Sequence, residues 1–224
     1  MGKISVIGTP IGNMGDITFR AIETLSSCDM VICEDTRVTQ KLFQKYNIKT
    51  PKMSYHSKSG LQGIDKIIKL LKEDKHLSLV SDAGTPCISD PGSLLISKIK
   101  EDIPNCNIET VPGPSALISA LSIAGCHTEN FIFYGFMPNK KGRQTLLNEI
   151  KNNEMTSIVY ESTHRIEKLL NEIKSNEINK KITVAKELTK IHEKIIQGNI
   201  DQVMESFSKD KTLFKGEFVI IFSK

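Results

Sequence analysis

The sequence has no tryptophan, few aromatic residues and none of the common phosphate-binding fingerprints. Aromatic side chains make up 6% of its 224 residues, which argues against a reader of single-stranded nucleic acid that works by base stacking. The first glycine-bearing loop, residues 8–15, contains neither G-x-G-x-x-G nor G-K-[ST]. The sequence therefore argues against the dinucleotide-binding and P-loop classes.

Metal-ligating and disulfide-forming patterns are also missing. The number of cysteines, five, is odd, and no C-x-x-C occurs, so we predict a reducing compartment, no disulfide framework and no zinc site. The histidines are scattered, and we predict no bound metal. No apolar run approaches the length of a membrane span, and the N-terminus resembles a strand, not a signal peptide. These absences predict a cytoplasmic protein without a membrane partner.

The charge of the chain is only mildly informative. The net charge is +4 and the pI is about 8.7, which permits an acidic partner such as RNA but does not require one. A globular protein with a slight lysine bias explains the same numbers equally well. The length allows one large domain or two small ones.

The first half of the chain alternates between strand-like and helix-like runs, which predicts an α/β fold with a mainly parallel sheet and helices on both faces. Asp16 is the predicted N-cap of the first helix. The strand-like runs are residues 3–8, 30–34, 52–55, 76–81 and 107–111. The helix-like runs are residues 17–26, 36–46, 61–73, 93–101 and 115–124.

The second half shows a different order, with a single helix-like run among its last strand-like runs, and predicts a mixed sheet. A rigid turn at Pro112-Gly113-Pro114 separates the halves, so we predict two α/β domains, residues 1–112 and 113–224. A joint of this kind would leave a cleft suited to a small ligand. The strand-like runs are residues 131–135, 155–161, 182–188, 193–198 and 217–222. The helix-like runs are residues 141–152, 163–175 and 200–208.

Several loops rich in glycine and proline follow predicted strands of the first half. The longest, residues 81–92, contains two Gly, two Pro and two Asp within its core, and the others are residues 8–15 and 111–116. Carboxyl ends of parallel strands are where open α/β sheets bind ligands, and proline reduces the entropy lost on binding. Plain structural turns are the alternative for each loop taken alone. Several such loops on one side of a sheet predict a shared pocket.

Residues 34–37, Glu-Asp-Thr-Arg, come at the end of the second predicted strand. The carboxylates of Glu34 and Asp35 are candidates for polarising a hydroxyl, and Arg37 is a candidate for binding a phosphate. The alternative is a capped helix start, with Asp35 or Thr36 as the N-cap and Arg37 in solvent.

Two basic segments lie in the second half. Lys140, Lys141 and Arg143 fall in a predicted loop, and His164 and Arg165 follow a predicted strand. Either segment is a candidate for contacting a polyanion such as RNA, although a solvated charge run is the commoner explanation. The strand-end segments 186–190 and 215–217 are suggestive in position, but their chemistry is not readable from the residues.

Taken together, these motifs resemble a known family. They include residues 9–13, 34–37 and 54–56, the Ser-Asp-Ala-Gly-Thr-Pro…Ser-Asp-Pro-Gly loop, and residues 112–116, 135–138, 186–190 and 215–218. The resemblance covers nearly the whole chain and is to the ribosomal RNA small subunit methyltransferase I family, within the tetrapyrrole methylase superfamily. The Ser-Asp-Ala-Gly-Thr-Pro loop is specific to this family, whereas the Pro-Gly-Pro-Ser turn is shared more widely.

This resemblance implies S-adenosylmethionine as methyl donor, bound between two α/β domains, and transfer to the ribose 2′-oxygen of a cytidine in 16S rRNA, within the small subunit. It also implies a homodimer. Glu34, Asp35 and Arg37 would line the acceptor side, with Asp35 as the candidate base. By motif position, the residues expected at the donor are Pro10, Asp82, Gly84, Thr85, Ile88, Ser89, Ser115, Ala116, Phe136, Tyr160 and Leu188.

Two alternatives remain open: a methyltransferase of the same superfamily acting on a tetrapyrrole precursor, and a non-catalytic rRNA-binding factor. Two departures from the family pattern also stand out. Thr163 occupies a position where the family usually has proline, which leaves the shape of that loop open. Many relatives carry a small further C-terminal domain that this sequence lacks, so we expect RNA docking to depend on other residues, such as Lys140 and Lys141.

Overall fold

The protein is described by a computed structural model that covers residues 2–56 and 59–224, except for the side chain of residue 61. The chain divides into two compact units, residues 1–115 and 116–224. The division falls just after the turn at residues 112–114. Within the described residues, each unit contains one five-stranded sheet.

The first unit contains a wholly parallel sheet in the order β3-β2-β4-β1-β5. This confirms the parallel sheet predicted from the alternating runs. Its strands are β1 (Lys3–Ile7), β2 (Met30–Cys33), β3 (Lys52–Ser54), β4 (His76–Leu79) and β5 (Asn107–Val111). Its helices are α1 (Phe19–Ser27), α2 (Thr36–Tyr46), α3 (Gly60–Lys72) and α4 (Gly92–Asp102).

Both faces of this sheet are covered by helices. Successive side chains of a strand point to opposite faces, so one strand can contribute to an apolar cluster on each face. In β2, Ile32 packs in the cluster that includes α3 and α4. Its neighbours Val31 and Cys33 pack in the cluster that includes α1 and α2. A strand covered by helices on both faces is continuously apolar, which is why the short run of residues 30–33 is a reliable strand signal.

The first helix begins later than its predicted cap. Thr18, not Asp16, is the N-cap of α1, and its hydroxyl accepts a hydrogen bond from the Ala21 amide at 3.1 Å. Asp16 instead ends a 3-10 turn that starts at Met14. Ile17, which follows this turn, has an extended backbone conformation. The helix therefore begins only after Thr18, which caps it.

The second unit contains a mixed sheet in the order β6-β7-β10-β8-β9, as predicted. Only β6 and β7 run parallel, and the other neighbouring pairs are antiparallel. Its strands are β6 (Phe131–Phe136), β7 (Thr156–Ser162), β8 (Lys181–Lys186), β9 (Lys194–Gly198) and β10 (Glu217–Ser223). Its helices are α5 (Ala116–Ala124), α6 (Arg143–Asn152), α7 (Ile166–Ser175) and α8 (Ile200–Lys209).

Helices α6, α7 and α8 share the main apolar cluster of the second unit with its central strands. Two boundaries in this unit differ from their predictions for a backbone reason. Strand β8 ends at Lys186, before Leu188, because Glu187 and Thr189 have left-handed φ angles of 51° and 67°. Helix α6 begins only after Gly142, whose φ is 83°.

Among the helices of the described residues, none combines the length and the apolar character needed to cross a membrane.

Candidate active site

Loops from neighbouring strands of the first sheet meet at its carboxyl edge. The loop after β1 is joined to the loop after β4 by a reciprocal pair of backbone hydrogen bonds between Thr9 and Gly84, at 3.0 and 3.1 Å. The buried Thr9 hydroxyl lies within hydrogen-bonding distance of the Ser81 carbonyl, at 3.3 Å. The two loops therefore form one continuous structure.

The loop after β5 is fixed to the same structure by two contacts. The Thr85 hydroxyl donates a hydrogen bond to the Pro114 carbonyl at 3.2 Å. Gly8 and Gly113 lie against each other so closely that a Cβ on Gly8 would be 2.7 Å from the Gly113 Cα. Only glycine at both positions permits this approach.

The loop after β2 is connected through Asp82. The Asp82 carboxylate accepts a hydrogen bond from the Asp35 amide at 3.0 Å. All the strand-end loops proposed from the first-half sequence are thus linked to the segment 81–85. The structure brings together the predicted donor residues of this segment and the predicted acceptor residues 34–37.

The loop between β4 and α4 has an unusual backbone. Cys87 and Ser89 both have left-handed φ angles, 72° and 66°, which are costly for residues with a side chain. The Asp90 carboxylate compensates by accepting hydrogen bonds from the amides of Ile88 and Gly92, at 3.2 and 2.8 Å. Ile88 and Ser89 remain exposed. Strain held in place by local hydrogen bonds, next to an exposed apolar side chain, is typical of a binding loop.

Negative charge collects at this edge of the sheet. Burial raises the pKa of the Glu34 carboxyl, and the carboxylates of Asp82 and Asp90 raise it further. Burial also raises the pKa of the Cys87 thiol in the same loop, to about 11, so that thiol is uncharged at neutral pH. The edge therefore suits a ligand that carries positive charge.

Asp35 and Glu34 have opposite electrostatic environments. The Arg37 guanidinium donates to the Asp35 carboxylate, with a closest contact of 2.6 Å, and lowers the pKa of Asp35 to about 2. The Asp35 side chain also accepts from the Arg37 amide as the N-cap of α2, which is the structural alternative considered from the sequence. A carboxylate so stabilised is a poor proton acceptor, which argues against Asp35 as the base, and the choice of base stays a prediction.

A small pocket lies beside these loops in the first unit. Its volume is about 40 Å³, and a water molecule requires roughly 10–15 Å³ by this measure. The pocket has room for a few water molecules but not for a nucleoside, so by itself it is too small to be the binding site. Pro10, a predicted donor residue, is among the lining residues, which are Thr9, Pro10, Met14, Val38, Thr39, Leu42, Val80, Ser81 and Asp82.

The remaining residues that were predicted to contact the methyl donor lie in both units. Ser115 is the last residue of the first unit, and Ala116 is the first residue of the second. In the second unit, Phe136 is 53% exposed and stacks edge-on against Tyr160, with ring centroids 5.3 Å apart. The Tyr160 hydroxyl accepts a hydrogen bond from the Leu117 amide at the start of α5. Leu188 is buried, so its predicted contact with a ligand is available only to a small part of its side chain.

The predicted RNA-binding residues separate into two groups. Lys140, Lys141 and His164 are exposed and remain candidates for contacting RNA. Arg143 is 3% exposed and lies in the first turn of α6, where it forms ion pairs with Glu161 and Glu172. This burial argues against its predicted contact with RNA, because the loop ends before Arg143 and the helix places this residue in the interior.

Arg165 is less buried than Arg143 but is also occupied by protein groups. Its side chain is 24% exposed and forms an ion pair with Glu161 at 2.9 Å, besides hydrogen bonds to Ser162 and to residues 137 and 139. These bonds argue against a direct RNA contact.

Sequence reasoning missed three residues that shape the site: Thr9, Ser81 and Asp90. The hydroxyls of Thr9 and Ser81 are buried between the loops, and no local pattern reveals such a pairing. Asp90 was detectable, because an aspartate two residues before a glycine, in Asp-Pro-Gly, is typical of a side chain that accepts from the amide two residues on. Within residues 2–56 and 59–224, no three His, Cys, Asp or Glu side chains converge to hold a metal ion.

Comparison with known proteins identifies the fold and the family. Cobalt-precorrin-4 methyltransferase, an enzyme of cobalamin biosynthesis, superposes with a TM-score of 0.71 over 99% of this chain and 94% of its own, at 17% sequence identity. At this identity the likeness establishes the fold alone, which is that of a methyltransferase. The family model for Tetrapyrrole (Corrin/Porphyrin) Methylases matches residues 3–204, and the chain belongs to this family.

Relatives of much higher identity are named ribosomal RNA small subunit methyltransferase I, which confirms the resemblance inferred from the motifs. The protein from Hydrogenobaculum sp. is 47% identical over 99% of this chain and 96% of its own length. The Thermotoga maritima protein is 39% identical over 100% of this chain and 99% of its own. The Bacillus subtilis protein is 40% identical over 99% of this chain and 75% of its own.

The chain is therefore a methyltransferase, and its methyl donor is S-adenosylmethionine. The residues at the edge of the first sheet fit this donor. Its sulfonium and ammonium groups are cationic, and Glu34, Asp82 and Asp90 place carboxylates close enough to one another to raise the pKa of Glu34. Bound there, the donor would supply an electrophilic methyl group.

Proposed function

We propose that this protein methylates small-subunit ribosomal RNA, at the ribose 2′-oxygen of a cytidine. The name shared by relatives that are 39–47% identical along the whole chain supports the RNA substrate. The observation that carries the chemistry is the linked carboxyl edge of the first sheet, where the predicted donor loop and residues 34–37 are joined through Asp82. The cytidine and the 2′-oxygen rest on the resemblance of the motifs.

Positioning is the main contribution of the protein in this proposal. A ribose hydroxyl is a weak nucleophile at neutral pH, and attack on a methyl group requires a nearly linear arrangement of oxygen, carbon and sulfur. Fixing that arrangement contributes roughly 7–11 kcal/mol, whereas a general base contributes typically 10²–10⁴-fold in rate. The hydrogen bonds of Thr9, Thr85 and Asp90 hold the donor loops rigid before the substrates arrive.

In this proposal Glu34 removes the proton from the acceptor hydroxyl. Its raised pKa brings its basicity closer to neutral pH, where a general base is most effective. Arg37 is 88% exposed and offers its remaining donors to an RNA phosphate. Asp35 orients Arg37 through their ion pair.

The other partners follow from the substrate. Lys140, Lys141 and His164 are exposed and would contact the RNA backbone. Ribosomal RNA places the enzyme in the cytoplasm, and we expect the assembled small subunit to be the acceptor. The homodimer implied by the resemblance stays a prediction, to be checked by light scattering on the purified protein.

The test is a map of 2′-O-methyl groups in small-subunit rRNA from cells with and without this protein, together with methyl transfer in vitro to naked rRNA and to assembled subunits. We expect one cytidine to lose its 2′-O-methyl group when the protein is absent. Transfer to a free corrin or porphyrin ring with none to rRNA would contradict the proposal. Binding of rRNA without transfer would contradict it as well.

The role of Glu34 is tested separately with Glu34→Gln and, as a matched control, Asp35→Asn. We expect Glu34→Gln to reduce the transfer rate by roughly 10²–10⁴-fold while S-adenosylhomocysteine still binds. Asparagine also caps helices well, so Asp35→Asn should fold and lose much less activity. Equal losses in the two variants would contradict the assignment of Glu34.

A further inference from the structure

Two arginines and one buried carboxylate form an ionic cluster in the second unit. The Glu161 side chain is completely buried, accepts a hydrogen bond from Arg143 Nη1 at 3.2 Å, and forms an ion pair with Arg165, whose Nε atom lies 2.9 Å from its Oε1 atom. Its Oε1 atom also accepts from the Ser162 amide at 2.8 Å. Arg143 forms a second ion pair, with Glu172, at 2.7 Å. We call Glu161, Arg143 and Arg165 the arginine clamp.

The other donors of both arginines reach a single short segment of backbone. Arg143 Nη1 donates to the Pro138 carbonyl at 2.9 Å, and Arg165 Nη1 donates to the Met137 carbonyl at 2.9 Å and to the Asn139 side chain. Three consecutive residues of the segment 137–139 are thus held by two side chains that share one carboxylate. The segment follows β6 and precedes α6.

Stability alone does not account for the arginine clamp. Removing charges from water is costly, and apolar side chains of similar volume often stabilise a protein as much as a buried ion pair does. Arg143 Nη2 is also buried without a hydrogen-bond partner among the described residues, which adds a further cost. The cluster does supply fixed geometry, because the guanidinium donors are rigid and planar.

The residues on either side of the held segment are ones with predicted ligand contacts: Phe136 with the methyl donor, and Lys140 and Lys141 with the RNA. Phe136 immediately precedes it, is exposed and stacks on Tyr160. Lys140 and Lys141 immediately follow it and are exposed. Strand β6 is irregular just before this point, with a register shift between Phe133 and Phe136, and its pairing with β7 resumes only at Phe136, opposite Tyr160. The sheet therefore holds the start of the segment, and the arginines hold the residues beyond it.

We propose that the arginine clamp is a positioning device for methyl transfer: Arg143 and Arg165, held by Glu161, fix the segment 137–139 and thereby set Phe136 for the donor and Lys140-Lys141 for the RNA. This proposal rests on the proposed function for the identity of the two ligands. It reassigns two arginines that the sequence suggested as RNA contacts. They are positioning residues, because they act through the backbone that they hold.

The absence of tryptophan from the chain permits a direct test of this positioning. Phe136→Trp introduces a single indole fluorophore next to the held segment. Arg165→Lys removes the forked donor, and Asn139→Ala removes a partner of Arg165 from the exposed side without altering the buried cluster. The control is Lys174→Met, which removes a cation of α7 that pairs with Asp201, outside the arginine clamp.

We expect time-resolved anisotropy of the introduced indole to show about a twofold larger nanosecond-scale decay with Arg165→Lys, on the timescale of loop motion. A smaller increase is expected with Asn139→Ala and none with Lys174→Met. Should Arg165→Lys fail to fold, Asn139→Ala alone decides the result. Identical decays in the parent and in every folded clamp variant would overturn the proposal.

Activity provides the second readout, in proteins that retain Phe136. We expect Arg165→Lys to lower kcat for methyl transfer by about tenfold or more, since small displacements of bound groups are costly in rate, with its melting temperature within a few degrees of the wild type. Lys174→Met should match the wild type. Unchanged kcat and KM in Arg165→Lys would overturn the proposal. Absence of methyl transfer by the wild-type protein would instead contradict the proposed function, and the anisotropy measurement would still test the arginine clamp.

Discussion

Thr163 shows how a single departure from a family pattern is accommodated. Its hydroxyl donates to the Gly216 carbonyl at 2.6 Å and accepts from the Gly216 amide at 2.8 Å. Gly216 in turn lies against Glu187, where a Cβ would come within 2.4 Å of the Glu187 Cγ. The hydroxyl therefore ties the turn after β7 to the start of β10, a role that proline cannot fulfil.

We predict that Thr163→Val destabilises the protein by about 1–3 kcal/mol, because the substitution keeps the shape of the side chain but leaves both polar groups of Gly216 unpaired. Thr163→Ser retains the hydroxyl and serves as the control, with a smaller loss. Urea denaturation measures the free energy of unfolding for both. Equal stability of Thr163→Val and the wild type would show that the two hydrogen bonds are unimportant.

Glu34 illustrates a conflict between stability and function in one side chain. Its pKa is raised in the folded protein, by burial first and by Asp82 and Asp90 second. A carboxyl with a higher pKa in the folded than in the unfolded protein is harder to ionise in the folded state. At pH values above the usual glutamate range, its ionisation therefore lowers the free energy of unfolding. Removing the charge relieves this conflict.

We therefore predict that Glu34→Gln melts at a higher temperature than the wild type at pH 7, and that the difference disappears as the pH falls below the unfolded pKa of glutamate, about 4.3. Melting curves recorded between about pH 4 and pH 8 provide the measurement. Glu73→Gln, which removes an exposed glutamate at the end of α3, controls for the loss of one negative charge. A lower melting temperature for Glu34→Gln at pH 7 would contradict the raised pKa.

The ends of a helix or strand were predictable where they depend on the residues of that element and its cap. Helix α2 and strand β5 begin and end at the predicted residues, because Asp35 caps the helix and the strand is rich in β-branched residues, Ile108, Thr110 and Val111. The start of α1 was not predictable, since it depends on the 3-10 turn at Met14–Asp16. The end of β8 depends on the left-handed backbone at Glu187 and Thr189. It was not predictable, because glutamate and threonine rarely adopt that conformation.

At the same scale, the packing of β1 against β5 depends on the two glycines at their ends. We predict that Gly113→Ala severely destabilises the first unit, because its Cβ would lie 2.6 Å from the Gly8 carbonyl oxygen. Relieving this clash requires a movement of the backbone, not of a flexible side chain. Gly15→Ala is the control in the loop after β1, since its Cβ would be 3.2 Å from the flexible Asn13 side chain. Thermal denaturation and S-adenosylhomocysteine binding report the two effects. Comparable losses in both variants would contradict the close-approach argument.

For the whole molecule, the sequence predicts the segments of the candidate site but not the contacts between them. Thr9 and Gly84, or Asp35 and Asp82, are far apart in the chain and meet only because the strand order places β2, β4 and β1 side by side. Arg143 gives the opposite lesson. Its place in a basic run suggested the surface, and only the position of α6 over Glu161 shows that it is buried.

Charge at the scale of the whole molecule also differs from charge at the site. The chain carries a net charge of +4, yet the edge of the first sheet carries the carboxylates of Glu34, Asp82 and Asp90. A local negative field should favour the sulfonium of S-adenosylmethionine over the uncharged thioether of S-adenosylhomocysteine, and salt should screen the difference where the groups are exposed. Asp82 is exposed and is the most accessible of these carboxylates to substitution.

We predict that Asp82→Asn reduces the ratio of donor affinity to product affinity by about three- to tenfold, roughly 0.7–1.4 kcal/mol. Asparagine can still accept the hydrogen bond from the Asp35 amide, so the loops should stay linked. Asp65→Asn, an exposed substitution on α3, removes the same charge away from the edge and should leave the ratio unchanged. Calorimetry with both ligands at low and at high salt measures it. A ratio that is the same in Asp82→Asn and the wild type at low salt would show that these carboxylates do not face the sulfonium.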